Sequence, residues 1–106
     1  MMIVRIHVAD DINEETYYEP AMSPELCDML AILRRAGWKV RSRRVDAERE
    51  IGRLKKQAEK LARKRTKLQE TSSAWLSCET EAKRLERLIQ DVKAAVQGKG
   101  SLLDPV

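Results

Sequence analysis

The sequence predicts a mostly helical α+β chain: a small N-terminal β/α unit followed by a long antiparallel helical hairpin or coiled coil. Three observations lead there. Residues 1–44 alternate strand-like and turn-like chemistry around one well-capped helical segment. Residues 45–97 hold no Pro and carry apolar side chains at steps of three and four. Aromatic residues make up only 4% of the 106 residues, with no Phe. So few large side chains favour an elongated helical body over one rounded core.

The first element, "MIVRIHVA" (residues 2–9), is short, β-branched and roughly alternating, which predicts a strand. "DDIN" follows with turn chemistry, because Asp and Asn side chains bond nearby backbone N–H groups. "ETYYEP" has the content of a second strand, stopped by Pro20, so a β-hairpin is expected across residues 2–19.

The helix at 23–36 is the clearest local signal. Ser23 suits the N-cap, Pro24 the first helical position, and Glu25 the positive end of the helix dipole. Leu26, Met29, Leu30 and Leu33 recur at helical spacing. Arg34 and Arg35 suit the C-terminal end, and Gly37 supplies a left-handed cap. "WKVRSR" alternates again, and a strand is expected over 38–43.

The stretch 45–97, if unbroken, would be a helix of roughly 80 Å. Its first seam runs Ala47, Ile51, Leu54, Ala58, Leu61, Arg65, Leu68, and its second runs Trp75, Cys78, Ala82, Leu85, Ile89, Val92, Val96. Joined through Ser72, the two place three-residue steps in succession, a discontinuity that overwinds a continuous coil. Thr71, Ser72, Ser73, Ser77, Cys78 and Thr80 are mediocre helix formers there, and Ser and Thr favour caps. A break near 71–74 is expected, giving arms of about 45–70 and 74–97. A continuous rod is the competing arrangement, since the turn lacks Gly, Asn and Pro and one heptad column runs through it. Ile51, Leu54, Leu61, Leu68, Trp75, Leu85, Ile89 and Val92 are the expected hairpin or homodimer seam. Arg65, in the middle of the first seam, is expected to pack its stem and turn its guanidinium to water. The Gly-punctuated tail, 98–106, is expected to be mobile.

Charge is distributed unevenly. Residues 1–33 carry one Arg against seven acids, a net of −6, while residues 34–67 carry fifteen Lys/Arg against four acids, a net of +11. The remainder is close to neutral. An excess of cations that local acids cannot neutralise predicts attraction to a polyanion. The candidate binding residues are Arg34, Arg35, Lys39, Arg41, Arg43, Arg44, Lys55, Lys56, Arg63 and Lys64.

Catalytic chemistry finds little support. His7 is the single histidine and is expected on the solvent side of its strand, with no second ligand beside it. "DDINEE" lacks the regular spacing and central Gly of a calcium loop and reads as a solvated acidic turn. No phosphate-binding glycine loop and no nucleophile elbow occurs. Cys27 and Cys78 form no CxxC pair and are expected on apolar faces as small hydrophobes. No run of about 18 apolar residues is present, and the first residues lack the basic region and cleavage site of a signal peptide. A cytoplasmic protein without metal or cofactor is expected.

The function expected is therefore non-enzymatic. It is that of an adaptor, regulator or inhibitor, of the compact kind that phages and mobile elements encode, acting through a charge-asymmetric helical surface and forming a homodimer. Its partner would be an acidic protein. The alternative is a nucleic-acid-binding protein that lays the basic segment 34–67 on phosphates.

Overall fold

The fold is built outward from β1 (Met2–Ala9), the middle strand of a three-stranded antiparallel sheet ordered β2-β1-β3. In this computed structural model, which describes residues 1–103, β2 is Glu14–Glu19 and β3 is Lys39–Asp46. α1 spans Pro24–Arg35, α2 Ala47–Thr66 and α3 Ser73–Val96. The turn into β2 is made by Asp10, whose carboxylate accepts the N–H groups of Ile12 and Asn13. Those backbone donors hold the Asp10 carboxyl below its ordinary pKa.

Alternation along β1 sorts its side chains onto two faces. Val4, Ile6 and Val8 pack with Leu26 and Leu30 of α1, flanked by Tyr17, Leu33, Trp38 and Val40. Ile3 packs on the opposite side in a cluster with Tyr18, Leu54, Leu85, Leu88, Ile89, Val92 and Ala95. The sheet is thus a middle layer, with α1 on one face and the α2/α3 pair on the other.

α1 forms where its caps dictate. Ser23 Oγ accepts the N–H of Leu26 at 3.1 Å, and Pro24 opens the helix. Gly37, at φ 99°, takes the left-handed conformation just past the C-cap. α2 follows β3 without a loop, because Asp46 both ends the strand and caps the helix, accepting from Arg49 N at 3.1 Å. Residues 67–72 join α2 to α3. Thr71 there adopts φ 66°, a conformation rare for a β-branched residue. Ser72 then caps α3, its Oγ accepting from Trp75 N at 3.2 Å.

The expected fold class needs correction. The chain does not present a long helical hairpin or coiled coil beyond a small head. It is an α+β structure of one antiparallel sheet and three helices, and its main apolar cluster takes residues from both sides of the expected boundary at 44/45. The cause lies in α3. Beside the seam residues Leu85, Ile89 and Val92, it also buries Leu88 and Ala95. That arc is wider than a two-helix seam requires, and the added residues share a cluster with Ile3 and Tyr18 of the sheet as well as Leu54 of α2. Val96, read as part of the seam, is exposed.

The tail departs from expectation too. Gly98, at φ 92°, turns the chain after α3, and Ser101 reaches the outer edge of β2. Its N–H donates to Tyr18 O at 2.9 Å, and its hydroxyl oxygen accepts Tyr18 N–H at 2.9 Å. Leu102 and Leu103 donate their N–H groups to the buried Glu19 carboxylate at 2.9 and 3.1 Å. Both leucines also pack beside the α1 cluster. Residues 98–103 are therefore a strap on β2, not a free end. The rest of the expected tail, 104–106, lies outside the described residues.

Candidate anion-binding cleft

Only part of the sheet face beneath α2 and α3 is apolar. Ile3, Tyr18 and Val45 lie at the covered end, but farther along β1 the same face presents Arg5 and His7. Register places Arg43 directly opposite Arg5, and Arg41 directly opposite His7. Between this polar half and the helix pair opens a cleft of roughly 780 Å³. Arg53 and Gln57 of α2 and Arg84 of α3 form its far wall, Leu54, Leu85 and Leu88 its apolar floor, and Arg34 reaches its rim.

The cations of the cleft fall into two groups. Arg5, Arg53 and Arg84 are paired, although Glu50 alone serves both Arg5 and Arg53 and so leaves one positive charge between them. Arg84 pairs with Glu81, one turn earlier on α3. Arg5 Nη1 and Arg53 Nε reach Glu50 at 3.1 and 2.8 Å. His7 Nε2 lies 3.0 Å from Glu14. Arg41 and Arg43 are exposed, and among the described residues neither has a carboxylate within ion-pair distance. Like charges directly opposite on neighbouring strands are unfavourable. The Arg5/Arg43 pair thus leaves a positive potential that the fold itself does not cancel.

Glu50 positions this arrangement from below. Its side chain is 3% exposed and accepts the Tyr18 hydroxyl at 2.6 Å as well as both guanidiniums. Burial pushes the carboxyl up, but hydrogen bonds from Arg53, Tyr18 and Arg5 outweigh it and hold the pKa down to about 2. In turn Tyr18 is raised, first by burial and then by the adjacent carboxylate. Hydrogen bonding to Glu50 also raises Arg53. The two guanidiniums are thereby fixed in orientation.

Of the residues singled out from sequence, Arg34, Arg41 and Arg43 meet at this cleft. Arg44 projects to the other side of β3, where it lines a smaller groove with Met2, Pro20 and Met22. Arg35 and Lys39 are exposed but line neither hollow, and Lys55, Lys56, Arg63 and Lys64 lie on the outer surface of α2 and do not line the cleft. Among the seam residues, Leu54, Leu85, Ile89 and Val92 are buried in the shared cluster, and Ile51, Leu61, Leu68 and Trp75 are half-buried. Arg65 sits over the Trp75 ring at 5.8 Å and bonds Glu79 at 2.8 Å, a paired cation where a solvated one was expected. Cys78 is buried, but Cys27 is exposed, contrary to the expectation for it.

Sequence reasoning passed over Arg5, His7, Glu50, Arg53 and Arg84. A signal existed for the first two, since Arg5 and His7 follow Ile3 at every second position of an otherwise apolar strand. Glu50 gave none, because it stands off the heptad seam and reads as an ordinary surface acid. Comparison of the chain with protein-family models, with curated proteins and with solved structures finds no match in any of the three. No helix among the described residues is long and apolar enough to cross a membrane.

Proposed function

We propose that this chain is a non-enzymatic interaction module, an adaptor or inhibitor in type, whose partner is an acidic polypeptide received at the arginine cleft. One observation carries the reading. Arg41 and Arg43 stand exposed without counterions, directly opposite a histidine and another arginine. A bound carboxylate would relieve that repulsion, and arginine's planar fork suits it bidentately.

The surroundings of the cleft's arginines favour a polypeptide over nucleic acid. Among the described residues no aromatic side chain lines the cleft. Tyr17 and Trp38 belong to the α1 side, Tyr18 is buried, and Trp75 lies beneath Arg65. Bases would find no stacking platform there. The helical seam that suggested a homodimer is largely internal, so the proposed activity needs no second copy. A dimer through α2 and α3 would draw on the half-buried Leu61, Leu68 and Trp75 and the exposed Leu76 and Val96.

The test is binding at low salt, comparing labelled polyglutamate with single-stranded and duplex oligonucleotides. The wild-type chain should bind polyglutamate, and the Arg41→Glu/Arg43→Glu double variant should not. Preference for the oligonucleotides, with affinity falling steeply in salt, would reject this reading for the nucleic-acid one.

A further inference from the structure

The sheet has two edges, and they are treated differently. On β2 the outer edge is capped at Tyr18 by the chain's own strap, with Ser101 bonding both the N–H and the C=O of that residue, while the outward positions Thr16 and Glu14 lie on a strand that is acidic. β3 has no such cover. The bond from Ala47 N to Met1 O, 2.8 Å, sets the phase of the β1–β3 ladder. Residues 45, 43 and 41 bond inward to β1, so Val40, Ser42 and Arg44 turn their N–H and C=O groups outward. Arg34 Nη2 approaches Val40 O at 3.4 Å from that outer side, as the phase requires. The main-chain groups of Ser42 and Arg44 have no partner among the described residues.

Two hollows open on either side of these residues. Ser42 and Arg43 line the arginine cleft, and the same two residues, with Arg44, line the groove of roughly 390 Å³ that contains Met2, Pro20 and Met22. Met2 and Met22 are each nearly half exposed. A strand laid on β3 would send alternate side chains to opposite faces. One set would meet Arg41 and Arg43; the other would meet the methionine groove.

We infer that β3 is a receptor edge for an extended acidic segment of a partner protein, which joins the sheet as a fourth strand through Ser42 and Arg44. Its acidic residues alternate with apolar ones, carboxylates facing Arg41 and Arg43 and apolar side chains entering the groove at Met2 and Met22. Charge selects this occupant over a second copy of the chain, because β3 against β3 would bring one Arg/Lys row against another. Strand addition supplies the main-chain bonds, and the alternating side chains supply specificity. The inference rests on the acidic-partner reading above and adds the mode of binding to it.

The experiment uses a short labelled peptide alternating Glu with Val, titrated by anisotropy at low salt into the full chain. Ser42→Pro removes one outward N–H and leaves the β1 ladder intact, a position where an edge strand tolerates Pro. It should weaken the peptide about tenfold or more, by loss of the ladder bonds at that residue. A second arm keeps the protein unchanged: peptides N-methylated at one alternate set of amides should lose binding, and those methylated at the other set should retain it. Equal binding by Ser42→Pro and by both methylated peptides would overturn strand addition while leaving the cleft reading standing. Undiminished binding by Arg41→Glu/Arg43→Glu, or oligonucleotide binding in place of the peptide, would overturn the reading beneath it.

Discussion

Replacing Glu50 by Gln removes one charge and almost no volume from the centre of the molecule. The folded carboxyl titrates at about 2, against an ordinary value of 4.5. A depression of that size corresponds to about 3 kcal/mol favouring the folded chain whenever the unfolded carboxyl is ionised. The sign follows from the direction of the shift. The contribution is complete above pH 4.5 and is lost as pH falls from there through 2. Glu50→Gln should therefore lower stability by about 2–4 kcal/mol at pH 7, since it also strands Arg5 and Arg53 beside a neutral amide. Urea unfolding followed by circular dichroism at pH 7, 4 and 2.5 measures it. The gap between wild type and variant should be widest at pH 7 and shrink towards pH 2.5. A gap that is absent at pH 7, or that does not change with pH, would refute the assignment of Glu50 as the ionised anchor of the cleft.

Other perturbations probe the remaining parts. Thr71→Gly should raise stability by about 0.5–1 kcal/mol, measured by thermal unfolding, because glycine holds φ 66° without the clash threonine suffers. Leu85→Ala should cost about 2–5 kcal/mol, as its side chain fills the cluster shared by the sheet and both long helices. Arg43→Thr should leave stability unchanged or raise it slightly, since it ends the cross-strand repulsion with Arg5; chemical denaturation reads this, and marked destabilisation would contradict it. In Gly100→Ala the new Cβ would run into the Glu19 carboxylate, so amide hydrogen exchange should show loss of protection at Tyr18, Leu102 and Leu103.

What could be read from the sequence was local. Ser23 with Pro24, Gly37 and the alternation of "MIVRIHVA" each mark an element through its own backbone chemistry. Ser72 likewise caps a helix because its hydroxyl can satisfy a free N–H. The relation between elements was not legible in the same way. A heptad seam reports that a helix has an apolar stripe, not what the stripe meets, and Leu88 and Ala95 belong to a contact with residues some eighty positions away. The linker was legible as a break near 71–74, but not in its conformation. Thr71 takes the left-handed conformation that Gly or Asn would have advertised. At the cleft, the surplus of arginine was plain, but pairing decides which of them are free. Glu50 pairs with Arg53 one turn along α2, but it reaches Arg5 only because the fold brings α2 beside β1, 45 positions away, and that proximity has no trace in the order of residues.

The strap on β2 also bears on the order of events as the chain is made. Tyr18 leaves a ribosome well before Ser101, yet its outer main-chain groups are satisfied, among the described residues, by Ser101, 83 positions later. Until residues 100–103 have emerged, a nascent chain carries two open sheet edges, and the one on β2 has no row of arginines to discourage unwanted pairing. Closing it is a long-range contact, slow to find because so much chain must first be ordered. Asp10 and Asp11 in the turn and Glu14 and Glu15 at the start of β2 would keep that edge repelling its own kind in the interval, a form of temporary chaperoning written into the chain itself.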